Sequence, residues 1–184
     1  MRPAVFLDRD GTLIEHVHHL RRAEDVALVA GAAAAVSALA QAGYACVVIT
    51  NQSVLGRGLL DQAELDRIHR RMGSLLAAGD ARLDGIYVSP HVPTTSDQSV
   101  IEHPDRKPGP GLLLRAGAEL DLDLGRSYMI GDSLSDLLAG ENAGCRESIL
   151  VLTGYGAATK QKQGNRFKSA PSIVEAAQMI LGEN

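Results

Sequence analysis

The sequence predicts an α/β fold, a three-layer, Rossmann-like parallel sheet with helices on both faces, on three observations. Short apolar runs alternate with helical patterns along the chain, as in strands joined by crossover helices. The strand-like runs stop at clusters of polar residues, which marks one rim of the sheet. The 184 residues match the size of one domain, and no repeat or linker divides them.

Taken in order, Ala4 to Leu7 reads as a buried strand ending at Asp8. Gly31 to Gln41, with six alanines, reads as a helix stopped by Gly43. Ala45 to Thr50, rich in Val and Ile, is a second strand. Asp61 suits the cap of a second helix, with Glu64 placed for a capping box and Leu65, Ile68, Met72, Leu75 and Leu76 at helical spacing. Gly85 to Ser89 is a strand, and the stretch from Pro90 to Arg106 has no periodicity, so it is a loop long enough to carry function. Pro110 to Leu120 is a helix with proline in its first turn. Ser127 to Ile130 and Ser148 to Leu152 are strands flanking a helix from Ser133 to Asn142, and Ser172 to Leu181 closes the chain as a helix. Lys160 to Asn165 reads as a solvated surface loop.

Composition narrows the class. A hydrophobic share of 45% with 22% charged residues is globular, and no apolar run reaches membrane-spanning length. A net charge of −4 with 3% aromatics is unlike a nucleic-acid binder built on stacking and a basic face. Cys46 and Cys145 make no disulfide framework, and the first residues lack a signal-peptide pattern, so a cytoplasmic protein is expected.

In an open α/β sheet, ligands bind beyond the carboxyl ends of the strands. Asp8-Arg9-Asp10-Gly11-Thr12, Thr50-Asn51-Gln52-Ser53 and Gly131-Asp132-Ser133-Leu134-Ser135-Asp136 follow strands, and Arg106-Lys107-Pro108 precedes a helix. Asp8 and Asp10 lie two apart, which in extended chain points both carboxylates to one side. Such a pair repels and favours a bound cation or a shared proton. With Asp132 it makes a hard oxygen site suited to magnesium, while Lys107 and Thr50 can meet phosphoryl oxygens. Carboxylate nucleophile, acid/base partner, metal and anion clamp are the parts of phosphoryl transfer. Taken alone, each piece has a plainer use: Asp-Gly pairs favour turns, and Asp132-Ser133 suits a helix cap.

These four stretches resemble the motifs of the haloacid dehalogenase superfamily, and within it those of the heptose 1,7-bisphosphate phosphatases and related histidinol-phosphatases. The resemblance implies that Asp8 is the nucleophile forming an aspartyl-phosphate and that Asp10 protonates the leaving oxygen, then activates water. It implies magnesium on Asp8, Asp132 and the Asp10 carbonyl, with Thr50 and Lys107 stabilising the transferring group and Asp136 in support. Arg106, Asn51, Gln52 and Ser53 would recognise the substrate, a small phosphorylated metabolite on the route to lipopolysaccharide precursors. The spacings after Asp10 and Thr50 leave no room for a separate cap domain, so loops must select the substrate. Arg9, His16, His19 and Arg57 belong to that set, Arg57 as a planar clamp for a second phosphate or as a solvated surface residue.

The chain also departs from the pattern. The family's third loop commonly holds zinc through Cys, His, Cys and Cys; here those positions are Ser89, His91, His103 and Asp105, so zinc is not expected. The expectation is a monomeric, magnesium-dependent phosphatase acting on heptose 1,7-bisphosphate, without nucleic-acid or membrane partners. Histidinol phosphate is the alternative substrate, and a phospho-accepting receiver domain the alternative of another class.

Overall fold

The computed structural model describes residues 1–182. Six strands form one sheet in the order β3-β2-β1-β4-β5-β6, every neighbouring pair parallel. They are β1 (Ala4–Leu7), β2 (Ala45–Asn51), β3 (Gly85–Ser89), β4 (Tyr128–Gly131), β5 (Glu147–Val151) and β6 (Lys168–Ala170). The helices are α1 (Ala32–Gln41), α2 (Ser53–Gly56), α3 (Gln62–Ala77), α4 (Gly111–Glu119), α5 (Leu134–Asn142), α6 (Gly156–Gln163) and α7 (Ile173–Gly182).

β1 lies at the centre and is apolar on both faces because both are covered. Val5 and Leu7 pack with α1, α3 and α7, whereas Ala4 and Phe6 pack with α4 and α5. The same alternation runs through β2, where Cys46 and Val48 face one layer and Val47 and Ile49 the other. Cys46 serves as a small buried hydrophobe, its thiol directed at the Val36 carbonyl. Strand order reverses between β1 and β4, which places a crevice at their carboxyl ends.

Four local expectations need correction. Lys160 to Asn165 is not a loop: it is mostly the second half of α6, whose buried residues are only Gly156 and Thr159, so it has no apolar stripe to read. The short helix α2 and the three-residue strand β6 also carried too little periodicity to be anticipated. Asp61 does cap α3 through the Glu64 N–H at 2.8 Å, but Glu64 gives its carboxylate to the Ala23 N–H at 3.1 Å, so no capping box closes. The capping box forms instead at Ser133 and Asp136, at the start of α5. Among the described residues, no helix is long and apolar enough to cross a membrane.

Candidate active site

Asp8 is the first residue beyond β1, and its N–H donates to the Ile130 carbonyl of β4 at 2.9 Å. Its side chain therefore stands at the strand-order reversal. Lys107 reaches the same point from the loop before α4: its Nζ donates to Asp8 Oδ1 at 2.6 Å and to the Ile49 carbonyl at 2.7 Å. That ammonium also pairs with Asp136 Oδ1 at 2.6 Å. Asp136 Oδ2 accepts from the Ser133 N–H at 2.9 Å, so one carboxylate both starts α5 and steadies the lysine. Asp132, just past β4, accepts from the Tyr155 N–H at 2.7 Å. Gly11 and Gly154 bracket it at φ +83° and +54°, and a Cβ on either would lie 2.3 or 2.1 Å from Asp132 Oδ2. Only glycine fits both the conformation and the space.

Charge at this point is unbalanced. Oxygens of Asp8, Asp132 and Asp136 lie within 4.8 Å of one another, all buried, and among the described residues Lys107 is the one cation paired into the group. Burial, with repulsion from Asp136 and Asp10, pushes the Asp8 carboxyl up to about 7 although Lys107 pulls it down. Burial and the Asp8 and Asp136 charges push Asp132 up to about 8. Burial opposes the charge on Lys107, but Asp136 and Asp8 outweigh it and hold its pKa above the ordinary lysine value. Three buried carboxylates against one ammonium, with hard oxygen donors, fit a divalent cation such as magnesium.

Asp10 is not in that trio. The chain leaves the extended conformation after Asp8 and turns tightly, with the Arg9 carbonyl accepting from Leu13 and Ile14 N–H. The Asp10 carboxylate therefore faces elsewhere: it accepts from Arg9 Nε at 3.0 Å, Arg9 Nη2 at 3.1 Å and Gln52 Nε2 at 2.9 Å, still on the wall of the same cleft. The carboxylates that gather are those of Asp8, Asp132 and Asp136, which corrects the shared-side reading of Asp8 and Asp10.

The remaining candidate residues divide into two groups. Arg9 is 1% exposed and engaged with Asp10 and His69, so it borders the cleft as a packed, paired side chain and does not extend into solvent. Thr50 Oγ1 accepts from Gln52 Nε2 at 2.7 Å. Asn51 grips the Lys107 backbone, donating to its carbonyl and accepting from its N–H, both at 3.1 Å. His16, Arg106 and Asn51 line the cleft of about 190 Å³ that holds Asp8, Lys107 and Asp132. His16, His19 and Ser53 line an adjoining cleft of about 170 Å³. Both ring nitrogens of His16 are shielded without a protein partner, and its ring lies 4.4 Å from that of Tyr155. Arg106 donates to the His91 carbonyl at 2.8 Å, and Arg57 is exposed on the rim, close enough for its charge to act on His19 and Arg106.

Gln98, Ser135 and Tyr155 also line this cleft; Ser135 belongs to the quoted Asp132 motif, while Gln98 and Tyr155 were not singled out. Tyr155 follows β5, so the carboxyl-end rule applied to that strand would have found it. Gln98 lies in the Pro90 to Arg106 loop, whose length marked it for function without pointing to this residue; its Oε1 accepts from the Leu134 N–H at 3.1 Å and ties the loop to α5. In that loop the His91 and His103 rings are stacked, their centroids 3.4 Å apart, and His103 Nδ1 accepts from the Asp105 N–H. Asp105 pairs with Arg115, and Ser89 Oγ is buried. Among the described residues, His91, His103 and Asp105 do not bring three metal-ligating atoms together, whereas Asp8, Asp132 and Asp136 do.

Comparison with known proteins agrees with this geometry. Residues 105–176 match a family model described as HAD-hydrolase-like. The D-glycero-D-manno-heptose-1,7-bisphosphate 7-phosphatase of Thermosynechococcus vestitus is 41% identical over 160 residues, covering 84% of this chain and 81% of its own. The D-glycero-beta-D-manno-heptose-1,7-bisphosphate 7-phosphatase of Escherichia coli K12 is 39% identical over 153 residues, covering 83% and 80%. The crystal structure of D,D-heptose 1,7-bisphosphate phosphatase from B. bronchiseptica, complexed with magnesium and phosphate, superposes with a TM-score of 0.87 at 32% identity and 99% coverage of both chains. That membership sets the receiver alternative aside. With its sheet order, its rim and relatives that match over most of their length, the chain belongs to the haloacid dehalogenase superfamily of phosphatases.

Proposed function

We propose that this chain hydrolyses the C7 phosphate of D-glycero-D-manno-heptose 1,7-bisphosphate through an aspartyl-phosphate on Asp8. The observation that carries the reading is the Asp8 carboxylate, held 2.6 Å from the buried Lys107 ammonium in an open cleft, in a chain whose relatives bear that activity in their names. An Asp8 oxygen attacks phosphorus, the bond to the sugar oxygen breaks, and Asp10 passes its proton to that oxygen. Asp10 then takes a proton from water, whose oxygen attacks phosphorus and releases Asp8 and inorganic phosphate. Lys107 and Thr50 steady the phosphoryl oxygens. Asp8, Asp132 and the Asp10 carbonyl would hold magnesium, which when bound neutralises charge on the phosphoryl group.

Arg106, Ser53, His16, His19 and Arg57 select the substrate, whereas Asn51, Gln52 and Arg9 act through Lys107 and Asp10. The chain works as one monomeric cytoplasmic domain over residues 1–184 and is expected to hold no zinc, because Ser89, His103 and Asp105 stand where the family's zinc loop has thiolates. The test is a phosphate-release screen over heptose 1,7-bisphosphate, histidinol phosphate and p-nitrophenyl phosphate. The heptose should have the highest kcat/KM, and Arg106→Ala should weaken it far more than the aryl ester. A higher constant for histidinol phosphate would replace the proposed substrate.

A further inference from the structure

We propose that His69, on α3, is a positioning residue for the acid/base Asp10 and acts through the buried Arg9. The chain of contacts is continuous. Arg9 Nη1 lies 3.2 Å from His69 Nε2, while Arg9 Nε and Nη2 donate to the two Asp10 oxygens at 3.0 and 3.1 Å. A guanidinium has only donors, so the imidazole must accept through Nε2 and carry its proton on Nδ1. Burial and the adjacent Arg9 charge lower the His69 pKa to about 4, which keeps the ring a neutral acceptor at ordinary assay pH. Arg9 is 1% exposed, so a guanidinium without this partner would have an unpaired buried N–H. With it, the planar fork is locked and fixes the Asp10 carboxylate from one side, while Gln52 holds it at 2.9 Å.

This inference rests on the assignment of Asp10 as the acid. In the first half-reaction the Asp10 proton moves to the leaving oxygen as the Asp8–phosphorus bond forms and the ester bond breaks. The resulting Asp10 carboxylate is the species that Arg9 stabilises. A sugar alkoxide needs that proton, whereas p-nitrophenolate leaves without it. Mispositioning of Asp10 must therefore steepen the dependence of rate on leaving-group acidity, a signature that simple loosening of α3 does not produce.

The experiment measures first-turnover release of the leaving group from p-nitrophenyl phosphate, phenyl phosphate and heptose 1,7-bisphosphate by the magnesium-loaded protein. His69→Leu should leave p-nitrophenol release within about twofold of wild type and slow sugar release about tenfold, with KM little changed. His69→Gln, which restores an acceptor for Arg9, should recover most of the loss. Equal losses on all three esters, or no recovery by glutamine, would overturn the proposal. If His69→Leu does not fold, Arg9→Lys keeps the charge but cannot bridge both partners, and should show the same steepening; an unchanged slope there also overturns it. Asp10→Asn separates the two readings. A steep slope in this variant with a flat one in the His69 and Arg9 variants refutes the positioning role alone. A flat slope in Asp10→Asn refutes the acid assignment on which it rests.

Discussion

Asp8 and Asp10 are two residues apart, yet the fold assigns them opposite surroundings. Asp8 is held by an ammonium within a group of buried carboxylates, while Asp10 is held by a guanidinium and an amide. Asp8→Asn keeps the size but removes the attacking charge, so turnover should fall by several orders of magnitude while the protein still folds. Near-wild-type turnover in this variant would refute the mechanism. The motif residues around Asp8, Thr50 and Asp132 were legible because each group stands at a strand end, where side chains must meet ligand, and Lys107 because it precedes a crossover helix on the same rim. His69 was not, because a half-buried histidine on an amphipathic helix reads as ordinary packing until Arg9 is seen beneath it. Its depressed pKa gives a further check. The ring is charged below 6.5 when unfolded but only below about 4 when folded. Its contribution to stability is therefore complete above pH 6.5 and is lost as pH falls toward 4. Thermal melts at pH 7.5 and pH 5 should show wild type losing more Tm than His69→Gln. Equal losses would mean that the folded ring titrates like a solvated one.

At the level of elements, the long loop before α4 shows how much can be read from a lack of pattern. Pro90 to Arg106 had no periodicity, and the structure shows why: local polar contacts hold it, with no regular ladder. Glu102 accepts from the Thr94 N–H at 2.7 Å, and Asp97 accepts from the Ser99 N–H at 2.9 Å. Its tie to α5 is Gln98, which reaches the Leu134 N–H across the cleft mouth. Gln98→Ala should therefore raise KM for the bisphosphate severalfold with little change in Tm, because the loop keeps its internal bonds. An unchanged KM would show that this tie does not shape the substrate site. The same loop bears on zinc: stacked rings present their faces to each other and not their lone pairs to one ion. Metal analysis after purification without added zinc should give well under one equivalent, and a stoichiometric zinc on His91 and His103 would require the loop to rearrange. The elements that escaped sequence reading, α2, α6 and β6, are short or solvent-facing. Their place is set by what they cap and cover, as Thr159 of α6 does in donating to the Asp132 carbonyl at 2.9 Å.

At the scale of the molecule, the sheet order and the charge of the site are one design. Reversal between β1 and β4 brings Asp8 and Asp132 together from strands far apart in sequence, and Lys107 reaches them from the crossover leading to α4. Alternating apolar runs made the layers legible, and their polar ends the rim. Asp8 and Asp132 were legible as partners, but that Asp136 and not the Asp10 carboxylate joins them was not, because it depends on the turn after Asp8 and on the Ser133–Asp136 cap. The folded state holds three crowded buried carboxylates against one ammonium, whereas the unfolded chain disperses and hydrates them. A cation that binds only the folded state must then stabilise the whole domain by mass action. At about 100 times its dissociation constant the gain is about 2.7 kcal/mol, which for a chain of this size is roughly 5–10 °C in Tm. Magnesium added to chelator-treated protein should produce a rise of that order and restore turnover. Calcium should restore turnover poorly, since it prefers more ligands and looser geometry. Asp132→Asn removes one of the crowded charges, so its metal-free Tm should equal or exceed that of wild type, and the magnesium-induced rise should largely vanish. The two effects must appear together: a variant that keeps the full rise would place the cation away from Asp132, and one that loses metal-free stability would mean that the carboxylate is held by the fold and not strained within it.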